Sequence, residues 1–159
     1  MVLKIREAIK NDYVDINNLA KEVHKLHVEN RPDIYLDVDN PLMKDRFEDL
    51  LNNSTTKIFV VEDIDNKALI AYSTFQIVHQ KNIHLLVPSK FIYIDDFCVK
   101  SSSQGTGIGK LLFNHIVDYA KSEGASSMQL TVSEFNKKAV KFYEALGMST
   151  RNKKMELKL

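Results

Sequence analysis

Apolar and charged positions alternate at the start of the chain, with Leu3 and Ile5 set between Lys4, Arg6 and Glu7, the period of a half-buried strand. The period then changes. From Tyr13 to about Glu29 the residues Val14, Ile16, Leu19, Ala20, Val23, Leu26 and Val28 fall mostly on one helical stripe. Asn11 or Asp12 can cap this helix, and Pro32 ends it, because the residue before a proline is pushed away from helical angles. A second helix is predicted over about 41–51, with Pro41 in its first turn and Leu42, Met43, Phe47, Leu50 and Leu51 facing inward; Asn52-Asn53-Ser54 stops it. Residues 57–62 and 68–78 read as the two strands of a hairpin around Asp63-Ile64-Asp65-Asn66-Lys67. A long polar excursion over 79–90 leads to a third strand over 91–99, then a glycine-rich loop and a helix through 111–120. A strand over 128–132, a helix over 136–146 ended by Gly147, and a closing hairpin over 148–159 around Arg151-Asn152-Lys153 complete the reading.

The order β-α-α-β-β-β-α-β-α-β is mixed α/β, and three strands without intervening helices exclude repeated right-handed βαβ winding. No internal repeat, low-complexity segment or linker interrupts the 159 residues, which read as a single domain over 1–159 with one sizeable core. A hydrophobic content of 44% and a charged content of 27% are ordinary globular values. The formal net charge of +1 provides no global field toward nucleic acid or an anionic membrane. No apolar run is long enough to span a bilayer, and the alternating N-terminus is unlike a signal-peptide core, so a cytoplasmic protein is expected. The single cysteine, Cys98, allows neither an intrachain disulfide nor a cysteine-based metal cluster. It lies in an apolar strand, where a buried thiol is the plainer reading and a reactive nucleophile the sharper one.

The chemistry concentrates in Gln104-Gly105-Thr106-Gly107-Ile108-Gly109-Lys110, between the third strand and its helix. Glycines at alternate positions let a backbone approach a ligand closely, and the free amides of a new helix present its positive dipole end. This is a phosphate cradle. A P-loop would need glycine at Gln104 and Ser/Thr at Leu111, and both positions fail. A dinucleotide fingerprint begun at Gly105 would need its third glycine at Lys110 and an earlier place in the chain.

The pattern that does fit is Gln/Arg-x-x-Gly-x-Gly/Ala at Gln104, Gly107 and Gly109, with the acidic pair Asp95-Asp96 in the strand before it. A second block follows at Asn136, Ala139 and Phe142-Tyr143-Glu144-Ala145-Leu146-Gly147-Met148. Together they resemble the acetyl-CoA loop and the "N…A…FYE.LGF" segment of the GCN5-related N-acetyltransferase (GNAT) family, in that family's order. The resemblance implies a mixed, mostly antiparallel sheet flanked by helices, the acyl-CoA N-acyltransferase fold. It further implies a split between the strands at 91–99 and 128–132 that receives the pantetheine arm.

By this resemblance Gln104, Gly105, Thr106, Gly107, Ile108, Gly109 and Lys110 form the pyrophosphate cradle, and Phe97, Cys98 and Val99 pair with pantetheine through their main chain. Gln104 replaces the commoner arginine, and Lys100, Lys137, Lys138 or Lys141 are the cations available to compensate. Tyr143 matches the family's thiolate-protonating tyrosine, and a phenol with a pKa near ~10 stays protonated at neutral pH. Asn136 can both cap its helix and bond the pantetheine amides. An ammonium has no lone pair, so a base or water chain must remove a proton before attack. Asp95 stands where the family often has an acidic residue and is favoured over Asp96, unless a bulge reverses which side chain faces the cleft. The expected reaction is direct transfer from acetyl-CoA to a primary amine in a ternary complex, without a metal. His27, Arg31, Asp33 and Tyr35 are the weaker candidates for the acceptor side. His24 and His27 share a helical face but have no third ligand at suitable spacing. A homodimer through edge strands, including the apolar segment 155–159, is expected. A non-catalytic acetyl-CoA sensor and a nucleotide-binding α/β protein are the alternative readings.

Overall fold

The structure is a computed structural model describing residues 1–159. Its five strands form one sheet in the order of the sequence, with β1 (Leu3–Glu7), β2 (Thr56–Asp63), β3 (Ala68–Gln80) and β4 (Ser89–Val99) antiparallel and β5 (Ser127–Leu130) parallel to β4. Two helices, α1 (Tyr13–Asn30) and α2 (Lys44–Asn52), cover one face; α3 (Ile108–Ser122) and α4 (Lys137–Ala145) lie on the other. Each face has its own apolar core. Ile16, Leu19, Phe47, Ile58, Val60, Tyr72 and Cys98 close the first, and Phe59, Val61, Phe75, Ile92, Ile94, Leu112 and Ile116 the second.

The stripe predicted for α1 is buried at Ile16 and Leu19 and half-buried at Ala20 and Val23, while Val14 and Leu26 face water. Asn17 is buried among these residues because both ends of its amide are used: it donates to Asn40 and accepts from the Leu42 amide. With the Tyr13 hydroxyl donating to the Leu42 carbonyl, this holds 41–43 out of the helix, with Met43 extended, so α2 begins at Lys44 and not at Pro41. The excursion between β3 and β4 is shorter than its polarity suggests, since His79 still pairs with Lys90 and Gln80 with Ser89.

The largest departure is at the C-terminus. No hairpin forms over 148–159: the Met148 amide bonds the Tyr143 carbonyl, and beyond it no backbone hydrogen bond is made. A strand exists only where another strand's amides face it, and this segment meets none.

At the opposite edge, Arg6 joins β1 to the start of α1. It donates to both oxygens of Asp12 at 2.7 and 2.9 Å and to Glu62 at 2.9 Å, while Asp12 also accepts from the Ile9 amide. The Asp12 carboxylate is therefore spent on Arg6 and not on capping α1. Burial alone would raise the Asp12 carboxyl, but the Arg6 and Ile9 bonds outweigh it and hold it below the usual range. Asp12→Ala is expected to cost about 2 kcal/mol in denaturant unfolding at pH 7, the range for hydrogen bonds to a charged group. A lowered native value means that this contribution is present above the ordinary carboxylate pKa of ~3.9 and fades as pH falls through the native value. The gap between wild type and variant should therefore narrow in acid.

Candidate active site

The site follows from where β4 loses its second neighbour. Phe91, Ile92, Tyr93 and Ile94 pair with Ser127, Met128, Gln129 and Leu130; after that the strands part. From Asp95 to Val99 the β4 main chain is bonded to β3 on one side only, so Phe97, Cys98 and Val99 present a free edge to a gap. The predicted strand over 128–132 accordingly stops at Leu130, and the Tyr93 hydroxyl and Thr131 hydroxyl, 2.8 Å apart, bridge the point of parting.

The free edge is followed, after a single 3-10 turn over Ser101–Ser103, by the glycine loop. Gly107 is the N-terminal cap of α3 with φ 87°, and its side-chain position is empty of protein. The amides of residues 105–110 have no acceptor within the protein, and the first capped carbonyl is that of Gly107, which receives Leu111. Six successive unpartnered amides at a helix start make an anion site. Gly109 has a different role: a Cβ there would stand 3.1 Å from Phe142 and 3.4 Å from Val99, so its bareness lets α4 pack against the loop. Lys138 reaches the same place, donating to the Gln104 side-chain carbonyl at 3.1 Å, while the Gln104 amide donates to the Val99 carbonyl. Among the lysines considered, Lys138 is thus held beside the cradle.

The ring of Tyr143 packs with Phe97, Phe113 and Phe142 at centroid distances of 6.2, 6.4 and 5.2 Å. Burial pushes its hydroxyl up to about 12, and the charges of Asp96 and Cys98 add to the rise. Asn136 caps α4 by accepting from the Ala139 amide at 3.2 Å, which leaves its NH₂ group without a protein partner. Cys98 is buried, donates to the Leu19 carbonyl at 3.2 Å and is pushed up to about 12, first by burial. That is the chemistry of a packing thiol, and only its main chain faces the gap.

A bulge decides the acidic pair. Thr74 pairs with Asp96 and Phe75 with Ile94, so Asp95 is the extra residue and both carboxylates project from the α1–α2 face. Asp95 accepts from Gln76 at 2.9 Å and feels the positive charge of Arg46; Asp96 stands toward His27, Tyr143 and Cys98. Both side chains are open to water, yet the protein crowded around them raises both carboxyls; for Asp96 the charge of Asp95 raises it further and His27 opposes. The sequence pattern names the pair, but the bulge and the register that brings Gln76 to Asp95 leave no signal in it.

His27 sits over this pair. Its Nδ1 lies 2.8 Å from the Val23 carbonyl, which can only accept, so Nδ1 carries the hydrogen and a neutral ring has its lone pair on Nε2. Its ring stands edge-on to Tyr35 at 4.9 Å and to Phe135 at 5.3 Å, closing one end of the gap between α1 and the β5–α4 loop. Phe135 is not among the residues that pattern picks out. Arg31 and Asp33 come together, but with each other and with the C-terminal segment: Arg31 donates to Asp33 at 2.8–2.9 Å and to Glu156 at 2.6 Å. Their hydrogen-bonding capacity is largely taken. No helix is long and apolar enough to cross a membrane.

Comparison with known proteins bears on this geometry. Residues 20–148 match the model of the Acetyltransferase (GNAT) family. Thialysine N-epsilon-acetyltransferase of Bos taurus is 38% identical over 56 residues, which are 35% of this chain and 33% of that one. Streptothricin acetyltransferase of Streptomyces lavendulae is 34% identical over 56 residues, 35% of this chain and 30% of that one. The match therefore spans about a third of the length of these relatives. The crystal structure of a point mutant of the BH1408 protein from Bacillus halodurans superposes with a TM-score of 0.95 at 33% identity, covering 100% of this chain and 99% of that one. The structure of AAC(6')-Iy in complex with a bisubstrate CoA analog has a TM-score of 0.74 at 16% identity over 100% of this chain and 99% of that one, a likeness of fold. The cradle, the parted strands and these matches together place the chain in the GNAT acetyltransferase family.

Proposed function

We propose that residues 1–159 form one acetyl-CoA-dependent N-acetyltransferase domain that transfers acetyl directly to a primary amine of a small molecule or peptide in a ternary complex. The observation that carries this reading is succession: the unpaired main chain of Phe97–Val99 is followed, after one short bonded turn over 100–104, by the six unpartnered amides. Pantetheine amides suit the former and a pyrophosphate the latter, with Lys138 beside it. The acetyl thioester then lies between Asp96 and Tyr143. A cytoplasmic homodimer completes the reading.

Asp96, at the inner position beside His27 and Tyr143, takes the proton from the incoming ammonium through water; Asp95, tied to Gln76, tunes its charge. The freed amine attacks the thioester carbonyl, the C–N bond forms and the C–S bond breaks. Full proton transfer from a phenol at about 12 to a thiolate near ~8.5 would cost about 5 kcal/mol. Tyr143 therefore stabilises the departing sulfur by donating a hydrogen bond, and the proton that neutralises the thiolate comes from the new, acidic N–H of the tetrahedral adduct. His27, Tyr35 and Phe135 wall the acceptor end.

Thermal unfolding with acetyl-CoA, ATP or NAD at matched concentration tests the cofactor. A ligand at about a hundred times its dissociation constant adds about 2.7 kcal/mol, several degrees for a domain of this size. A shift with acetyl-CoA alone is expected; a shift only with ATP or NAD overturns the reading, and binding without turnover on a panel of lysine-like amines, diamines, aminoglycosides and peptide N-termini would make the chain a sensor. Gly107→Ala, which forces a side chain into φ 87°, should weaken the acetyl-CoA-dependent shift by at least about tenfold in affinity while the fold survives.

Asp96→Asn should lower kcat/KM by about 10²-fold and remove the acid limb of its pH profile. The same change should raise the melting temperature at pH 7. A raised native carboxyl favours folding below the ordinary pKa of ~3.9 and loses that advantage as pH climbs through the native value, so the neutral-pH carboxylate is a cost that Asn removes. Tyr143→Phe should reduce kcat by about 10–100-fold in stopped-flow assays with little change in acetyl-CoA binding.

A further inference from the structure

We propose that Glu22, on α1, is a positioning residue for the cofactor: by holding the turn over 100–104 it sets the distance between two segments of main chain that acetyl-CoA must meet together. On the acetyl-CoA reading above, on which this assignment rests, the cofactor spans the free edge at Phe97–Val99 and the unpartnered amides of 105–110. A ligand that uses both binds well only where they already stand the right distance apart. Few residues lie between them, so the conformation of those residues decides that distance.

They make a 3-10 turn over Ser101–Ser103, left at Gln104 with extended backbone. Its own main-chain bonds are few: the Ser103 amide to the Lys100 carbonyl at 2.8 Å, and the Gln104 amide to the Ser101 carbonyl at 3.3 Å. Three other elements hold it. The Lys100 amide donates to the Ile70 carbonyl of β3 at 2.8 Å, and the Gln104 side chain accepts from Lys138 of α4 at 3.1 Å. The Ser101 amide donates to the Glu22 carboxylate of α1 at 2.8 Å, across 79 residues of chain. Ser101 opens the turn, where an amide has no partner within a helix, and no side chain of the preceding residue caps it. A carboxylate suits that place, because the amide end of a turn carries positive charge.

The helix makes Glu22 a fixed reference. One turn earlier on α1 the Leu19 carbonyl receives the Cys98 thiol at 3.2 Å, and Ile16 and Leu19 are packed in the core with Cys98. α1 is thereby held against the very part of β4 whose main chain is free. Glu22 passes that rigidity to a turn too short to hold itself. A carboxamide oxygen can accept the same bond, so the bond is separable from the charge.

Calorimetric titration with acetyl-CoA, with hydrogen exchange on the ligand-free protein, tests this on wild type, Glu22→Ala and Glu22→Gln. Glu22→Ala should weaken acetyl-CoA by about tenfold and speed exchange of the 100–104 amides about as much, the loss of one hydrogen bond to a charged group. Its ligand-free melting temperature should stay within about 2 degrees of wild type, because the side chain is exposed. Glu22→Gln should bind acetyl-CoA within about threefold of wild type. In turnover of an amine from the panel above, Glu22→Ala should raise KM for acetyl-CoA and change kcat by less than about twofold. Wild-type affinity in Glu22→Ala, a Glu22→Gln as weak as Glu22→Ala, or a fall in melting temperature and kcat alongside affinity would each overturn the assignment while leaving the acetyltransferase reading intact. A wild type that does not bind acetyl-CoA would overturn both.

Discussion

Four residues of parallel pairing between β4 and β5, ending at Ile94 and Leu130, govern what the rest of the molecule can do. A strand at the centre of a sheet has both rows of main-chain groups satisfied, and a ligand can join it only where one row is released. Here the release begins at the acidic pair and lasts to the end of β4. The two cores on either side of the sheet hold that opening in place: Cys98 is packed under α1, and Phe97 and Val99 are fixed on the other side by the aromatic cluster of α3 and α4. The gap is thus a rigid feature with a polar lining, which is the arrangement that lets main-chain hydrogen bonds position a flexible arm.

The glycine loop continues the same arrangement. Its amides are left free because Gly107 turns the chain into α3 through a left-handed conformation, and no side chain caps the helix. Gly109 acts separately, permitting Phe142 to press against the helix start. Since Phe142 and Tyr143 are neighbours on α4, the packing that seats one also sets the other at the gap. Loop and tyrosine are therefore coupled through van der Waals contact and not through any hydrogen bond.

Electrostatics sharpen the division of labour in the acidic pair. The bulge brings two carboxylates to one face, where the charge of Asp95 penalises that of Asp96, and Gln76 and Arg46 favour the outer one while His27 favours the inner. Burial raises both carboxyls, but their partners differ, which is how a single acid type can be given two roles.

Much is legible in the sequence because it depends on neighbours along the chain. The period-two and helical stripes specify the five strands and four helices that form, and the spacing of Gln104, Gly107 and Gly109 with Asn136 and Phe142-Tyr143 marks the cradle and its opposing helix. What tertiary structure alone decided involves residues far apart. The bulge at Asp95 is a property of how β4 registers against β3; the bracket of His27, Tyr35 and Phe135 joins three separate segments; Arg31 is claimed by Glu156, far along the chain. The strand pattern at 154–159 marks the boundary between the two kinds of information. Alternation records that one face wants burial, but pairing needs an edge to receive it, and an edge exists only once the chain has folded.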